Sequence, residues 1–117
     1  MDRVYELTLL LDFYGQLLTA RQFEILDLHY NNDYSLGEIA QQLNISRQGV
    51  FDNIKRAKTT LDNLEEKLGL VKKFTGQKKK AEDILKNINR IDLDYLKAED
   101  RKHLESIRQG IQEIIDG

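Results

Sequence analysis

Apolar residues recur every three or four positions along most of the chain, which is the spacing of buried stripes on α-helices. The first stripe predicts a helix over about residues 3–18. A second helix begins after Thr19, because Thr19 and Gln22 have the spacing of a capping box, in which each side chain binds the other residue's backbone amide. The polar turn of residues 31–34 ends this helix, and its inner face comprises Phe23, Ile25, Leu26 and Tyr30.

Residues 35–61 have the pattern of a helix-turn-helix. Ser35 and Glu38 form a second capping box and start a short helix. Asn44 and Ile45 then make a tight turn, and Ser46 caps the next helix. The apolar positions of the two helices face each other, with a small alanine where they cross: Leu36, Ile39, Ala40 and Leu43 on the first, and Val50, Ile54 and Ala57 on the second.

Beyond the motif the chain continues as helices. The second helix of the motif keeps its apolar spacing as far as Val71, and Gly69 is a point at which it can loosen. A new helix follows Thr75 and Gly76, residues 92–94 form a turn, and a last apolar stripe extends to Ile115. We therefore predict an all-α fold with a helix-turn-helix domain over residues 1–74 and a C-terminal helical extension over residues 75–117 that serves packing or dimerisation.

The composition supports the all-α class and argues against disulfide-bonded, metal-binding and enzymatic proteins. The chain of 117 residues has no proline and no cysteine, so it lacks the commonest helix breaker and has neither disulfides nor thiolate metal ligands. The absence of cysteine suits a reducing cytoplasm, and we expect no targeting segment and no membrane span. The two histidines are far apart and no catalytic motif is present, so we predict no metal site, no cofactor and no enzymatic activity.

Charge is distributed unevenly. The net charge is −2, but residues 1–68 carry 7 Lys/Arg against 11 Asp/Glu, whereas residues 69–117 carry 11 against 9. The segment 46–60 is locally basic. A lysine cluster is either a solvated helix end or a patch that contacts the backbone of DNA or RNA; it comprises Lys72, Lys73, Lys78, Lys79 and Lys80.

The polar face of the second motif helix carries the candidate binding residues. At 100° per residue, the face opposite Val50, Ile54 and Ala57 presents Gln48, Asp52, Lys55 and Thr59, with Phe51 on one flank. In a DNA-binding protein this face enters the major groove, where glutamine pairs with adenine, lysine with guanine and aspartate with cytosine. Phe51 would touch a thymine methyl group. The predicted phosphate contacts are Ser35, Ser46, Arg47, Arg56 and Lys58.

These motifs resemble two known groups. VxxxIKRA after the SLGEIA helix resembles domain four of bacterial sigma factors. Residues 4–74 are more similar to the YlxM family of Firmicutes and mollicutes, through the strings LLLDFYGQLLTARQ, LHYNNDYSLGEIA, ISRQGVFDNIKRA and LEEKLGLVKKF. The sequence departs from that family in having Gly49 for a usual alanine and Phe51 for a usual tyrosine. The resemblance implies a sigma-like fold and a DNA-binding or regulatory role connected with protein export, because the family is usually encoded beside the GTPase of the signal recognition particle.

Two functions follow as hypotheses. The first is a regulator that binds duplex DNA as a homodimer, which the basic segment 46–60 favours. The second is an adaptor that binds the signal recognition particle GTPase or its RNA, which the acidic N-terminal half favours. The apolar residues 61–71 and 104–115 either pack within the chain or form the dimer interface.

Overall fold

The computed structural model describes residues 2–117, which form helices and no β-strand. The all-α prediction is therefore confirmed. Short helical turns lie at Gly15–Leu17, Asp27–Asn31 and Leu93–Tyr95. The six α-helices are α1 (Arg3–Tyr14), α2 (Ala20–Leu26), α3 (Leu36–Leu43), α4 (Arg47–Leu68), α5 (Leu70–Asn89) and α6 (Ala98–Asp116). No helix within residues 2–117 has the length and apolarity that crossing a lipid bilayer requires.

The chain divides into two compact units. The first ends at Val71, and the second is Lys72–Gly117. Helix α5 begins in the first unit and continues into the second, so the predicted domain boundary after residue 74 falls inside a helix.

The long helix α4 organises the first unit by packing against α1, α2 and α3. Its apolar stripe supplies one side of the core and the three shorter helices supply the other. The largest fully buried side chains are Tyr14, Leu10, Ile25, Leu26, Ile39, Leu61 and Val50. No charged side chain among the described residues is buried, as expected of a core held together by the hydrophobic effect.

Both predicted capping boxes are confirmed. The Thr19 hydroxyl accepts from the backbone amide of Gln22 at 3.1 Å, and the side-chain oxygen of Gln22 accepts from the backbone amide of Thr19 at 3.2 Å. The corresponding bonds between Ser35 and Glu38 are both 3.0 Å. Two of the amides that a helix start leaves unpaired are thus satisfied in each case, which places α2 and α3 where the sequence predicts them.

Helix α1 is shorter than predicted. It ends at Tyr14 instead of residue 18, and Gly15–Leu17 tighten into a 3₁₀ turn. The Phe23 ring of the next helix lies against Gly15, where a Cβ atom would come within 2.8 Å of ring atom Cε2. Phe23 itself remains 40% exposed, whereas its predicted inner-face neighbours Ile25 and Leu26 are buried. A contact between two helices therefore overrides the local periodicity here.

The boundary between α4 and α5 also differs from the prediction. Helix α4 ends at Gly69, which adopts a left-handed conformation (φ 63°) and donates its amide to the Glu65 carbonyl at 2.8 Å. Helix α5 then runs without interruption through Thr75 and Gly76, where we expected a break. Glycine in a helix costs only about 1 kcal/mol, and the Thr75 hydroxyl donates to the Lys72 carbonyl inside the helix.

A buried tyrosine ties the start of α5 to the first unit. The Tyr14 hydroxyl donates to the Glu65 carboxylate at 2.7 Å and accepts from the Leu70 amide at 3.1 Å. The same Glu65 oxygen accepts from the Val71 amide at 3.0 Å. Burial, followed by the hydrogen bond to Glu65, raises the pKa of Tyr14 above its ordinary value of 10. The side chains of Tyr14, which is distant in sequence, and of Glu65, which is near, thus cap the start of α5.

The second unit holds most of α5, the turn before α6 and α6 itself. Asp92 accepts from the Asp94 amide at 3.0 Å, which confirms the turn predicted at residues 92–94. Helix α6 has no buried residue, and Ile107 and Ile114 are 53% and 58% exposed.

Candidate nucleic-acid interface

The turn between α3 and α4 has the geometry of a helix-turn-helix. Asn44 adopts a left-handed conformation (φ 55°), and its backbone amide donates to the backbone carbonyl of Gln41 at 3.4 Å. The Ile45 amide donates to the Ala40 carbonyl at 3.1 Å. This pair of bonds is a Schellman motif, which ends a helix abruptly and redirects the chain. The predicted tight turn is confirmed.

Helices α3 and α4 pack through the residues that the sequence assigned to their interface. Ile39, Val50 and Ala57 are completely buried, and Ile54 is nearly so. Leu36, Ala40, Leu43 and Ile45 are partly buried against the same core. The opposite face of α4 is consequently turned away from the core and carries polar side chains.

That outward face of α4 brings the predicted base-contacting residues together. Gln48 and Lys55 are exposed and Asp52 is half-buried, with the Gln48 amide nitrogen donating to Asp52 Oδ1 at 3.0 Å. Phe51 lies on the flank and is 49% exposed. An open depression of about 580 Å³ on this face is lined by Asp52, Lys55, Arg56, Thr59 and Thr60.

The basic residues predicted to contact phosphate have different surroundings. Arg47 and Arg56 are exposed. Lys58 is half-buried, with its ammonium group 5.2 Å from the centre of the Tyr30 ring. A cation over an aromatic face is attracted by the negative charge of the π system. The partner ring is 28 residues away in sequence, and the sequence pattern contains no signal for it.

The two helix starts of the motif differ electrostatically. At α3, Glu38 occupies the first turn, and hydrogen bonding from the Ser35 amide lowers the pKa of its carboxyl group. This carboxylate therefore stays charged and would repel a phosphate at the α3 start. At α4, the Ser46 hydroxyl accepts from the Gly49 amide at 2.9 Å, and the first turn has no acidic residue. The α4 start is the better of the two for an anion, because helix N-termini carry partial positive charge.

Charge changes sign along α4. The basic residues of its first half give way to Asp62, Glu65 and Glu66 in the second half. Arg3 of α1 neutralises Asp62 through an ion pair of 2.9 Å. Only the first three turns of α4 are therefore suited to a polyanion.

All five residues of the lysine cluster lie on α5. Lys72, Lys73, Lys79 and Lys80 are exposed and Lys78 is half-buried. Two further basic residues that were not predicted as part of this cluster, Lys86 and Arg90, are also exposed. The seven-residue spacing of Lys72, Lys79 and Lys86, which places all three on one side of a helix, was the available signal.

The described residues 2–117 contain no group of three His, Asp or Glu side chains arranged to bind a metal ion. The capped α3, the Schellman turn and the polar outer face of α4 define a helix-turn-helix protein. The chain belongs to the family UPF0122, described as "Putative helix-turn-helix protein, YlxM / p13 like", whose model matches residues 1–107. The resemblance to YlxM is thereby confirmed, and the match extends beyond residue 74, where the recognised motifs end.

Relatives match over nearly the whole chain. A UPF0122 protein of Acetivibrio thermocellus is 64% identical over 116 residues, which are 99% of each chain. One from Thermoanaerobacter sp. is 49% identical over 108 residues, 92% of each chain. One from Desulforamulus reducens is 43% identical over 116 residues, covering 99% of this chain and 96% of the relative.

Proposed function

We propose that this protein binds duplex DNA through its helix-turn-helix and regulates transcription. The observation that carries the proposal is the outward face of α4, on which hydrogen-bonding side chains recur at successive turns: Gln48, Asp52, Lys55 and Thr59. A recognition helix needs such a row, because an α-helix fits the major groove and reads bases through side chains on one face.

Base contacts are assigned to the first half of this face. Gln48 pairs with adenine, Lys55 with guanine, and Phe51 contacts a thymine methyl group. Asp52 has two roles, because its carboxylate accepts from cytosine but also holds the Gln48 amide nitrogen at 3.0 Å in the free protein. Gln48 must exchange this bond for one with the base, so the two residues act as a coupled pair.

Phosphate contacts are assigned to Arg47, Arg56 and the amides at the α4 start near Ser46. These groups are exposed or lie beside a helix terminus without acidic residues. Lys58 contributes less than they do, because its ammonium group is already placed over the Tyr30 ring. Ser35 contributes least, since the ionised Glu38 lies at its helix start.

The test is a selection of preferred sites from random duplex DNA, followed by titrations at several salt concentrations. Gln48→Ala should change the preferred bases at one or two positions, at a cost of about 1–3 kcal/mol on the preferred site. Arg56→Ala should weaken binding to all sequences alike. Gln16→Ala, an exposed glutamine outside the motif, is the matched control and should change neither property.

If no base preference emerges, or if Gln48→Ala leaves the preference intact, sequence-specific reading by α4 is refuted. The same titration with the particle formed by the signal recognition particle GTPase and its RNA tests the second candidate function. Binding of that particle, together with no binding of duplex DNA at low salt, would favour the adaptor.

The second candidate function is an adaptor that docks on the signal recognition particle GTPase or its RNA. The observation favouring it is the acidity of the helix-turn-helix unit, since residues 1–68 carry a net charge of −4. Such a surface repels a DNA backbone, whose neutralisation normally supplies much of the binding free energy.

We also propose that the protein is a homodimer through α6. Of the two apolar segments predicted to pack within the chain or form the interface, residues 61–71 contribute Leu61 and Val71 to the core of the first unit, which supports packing within the chain as their role. The α6 stripe of Leu104, Ile107, Ile111 and Ile114 alternates steps of three and four residues, as in a coiled-coil seam. A second copy of the same helix supplies a complementary stripe, and two helix-turn-helix units can then bind two half-sites.

A further inference from the structure

Helix α5 carries a strong positive charge. Within Leu70–Asn89 there are six lysines against two acids, Glu82 and Asp83, so the helix has a net charge of +4. This excess stands out in a protein whose total net charge is −2.

The positive charge is concentrated on one side of the helix. Val71, Ala81 and Ile88 are buried and define the inner side of α5. At 100° per residue, the opposite side holds Lys72, Lys79 and Lys86, and it is bordered by Lys73 and Lys80. All five lysines are exposed, and Arg90 follows directly after the helix end. The only acid in this arc, which we name the basic face of α5, is Asp83.

The chemistry of the basic face fits the backbone of a nucleic-acid duplex. It contains no aromatic residue, whereas binding of single strands relies on aromatic side chains on which bases stack. The inner side of α5 is already buried at three positions, so the helix cannot insert that apolar side into a lipid surface. Lysine ammonium groups on a rigid helix instead neutralise the regularly spaced charges of a rigid polyanion.

We propose that the basic face of α5 is a second DNA-contacting surface, which binds the phosphates of duplex DNA without reading sequence. The proposal rests on the proposed DNA-binding function and adds to it a separate, purely electrostatic contact. From Lys73 to Lys86 the helix advances roughly 20 Å at 1.5 Å per residue. A duplex carries about twelve phosphates over that length on its two strands, and the lysines can bind those on the side that faces the helix.

The experiment measures how the affinity of the full-length protein for a random-sequence DNA duplex falls as salt rises. Each phosphate contact contributes roughly 0.9 to the slope of log K against log salt. The variant Lys73→Gln/Lys79→Gln/Lys86→Gln should therefore lower the magnitude of the slope by about 2 to 3. Its affinity at low salt should fall at least tenfold.

Two control variants separate local contact from net charge. Lys67→Gln/Lys97→Gln/Lys102→Gln makes the same change of net charge with exposed lysines outside the basic face and should keep the wild-type slope. Asp83→Asn removes the acid inside the face and should tighten binding. Circular dichroism checks that each variant retains the helical content of the wild type.

Equal slopes for the two triple variants would overturn the proposal, as would binding to a duplex of RNA but not of DNA. Failure of the proposed function is distinguishable from this outcome. If the proposed function failed and the α5 contact were real, Gln48→Ala would leave base preference unchanged, while the basic-face variant would still reduce the salt slope.

Discussion

At the scale of single residues, Tyr14 has a role that its aromatic character does not reveal. Its ring is part of the core, while its hydroxyl group lies between the Glu65 carboxylate and the Leu70 amide. A buried polar group without a partner costs more than a hydrogen bond normally contributes. Removing the hydroxyl group therefore affects the start of α5 as well as the packing of α1.

We expect Tyr14→Phe to lower the free energy of unfolding by about 1–3 kcal/mol, because it removes the hydrogen-bond acceptor of the Leu70 amide and one of the hydrogen bonds to the Glu65 carboxylate. Urea denaturation followed by circular dichroism measures the change. Tyr95→Phe, at a tyrosine that is 89% exposed, is the control and should change stability by less than about 0.5 kcal/mol. An equal effect of the two substitutions would contradict the role assigned to the hydroxyl group.

The same residue predicts a pH dependence. The pKa of Tyr14 is raised in the folded protein, so the folded state holds this proton more tightly than the unfolded state. The resulting stability is complete below the ordinary tyrosine pKa of 10 and is lost as the pH rises from there through the folded pKa. Stability of the wild type should thus fall more steeply above pH 10 than that of Tyr14→Phe, and urea denaturation across this range checks it.

At the scale of elements, two glycines show how similar sequence signals give different structures. Gly69 ends α4 with positive φ, whereas Gly76 lies inside α5. A side chain added at either position would meet no atom within 4 Å, so backbone conformation alone distinguishes them. A residue with a Cβ atom pays about 1–2 kcal/mol to adopt a left-handed conformation. Inside a helix, alanine is more stable than glycine by about 1 kcal/mol.

Alanine substitutions at the two glycines should consequently have opposite signs. Gly69→Ala should destabilise the protein by about 1 kcal/mol, and Gly76→Ala should stabilise it by about 0.5–1 kcal/mol. Thermal unfolding of the two variants and the wild type under the same conditions measures both effects. If Gly69→Ala were the stabilising change, α4 and α5 would form one continuous helix in solution.

At the scale of the whole molecule, the partly exposed apolar stripe of α6 and the proposed need for two half-sites both favour self-association. Ile107→Glu and Ile114→Glu change residues that are already more than half exposed, so the fold of the monomer should tolerate them. We expect each to weaken dimerisation by about 2 kcal/mol or more, which raises the dimer Kd roughly 30-fold. Sedimentation equilibrium over a range of protein concentrations measures it.

The matched control is Ile84→Glu on α5, a residue that is 45% exposed and lies outside the stripe. It should leave the dimer Kd unchanged. A wild-type protein that stays monomeric at 100-fold the concentration used for DNA titrations would remove the dimer from the proposal.

How much of the molecule was predictable depends on the range of the interactions involved. Ser35 with Glu38, and the chain reversal at Asn44, depend on atoms a few residues apart, so their structure follows from the sequence pattern. Helix periodicity likewise predicted which side of α4 is buried. The contact of Lys58 with the Tyr30 ring could not be predicted in this way, because the position of Tyr30 depends on how α2 and its following turn pack against α4.

By itself, the sequence determined the all-α class, the two capping boxes, the helix-turn-helix and the polar face of α4. These features depend on local hydrogen bonds and on the 3.6-residue period, both of which are encoded within one or two helical turns. Only the tertiary structure decided that α1 stops at Gly15, that the helix breaks at Gly69 and not at Gly76, and that the lysine cluster continues as one face of α5. The first two depend on contacts between different elements, Phe23 with Gly15 and Tyr14 with Leu70, and the periodicity within one helix carries no record of such contacts.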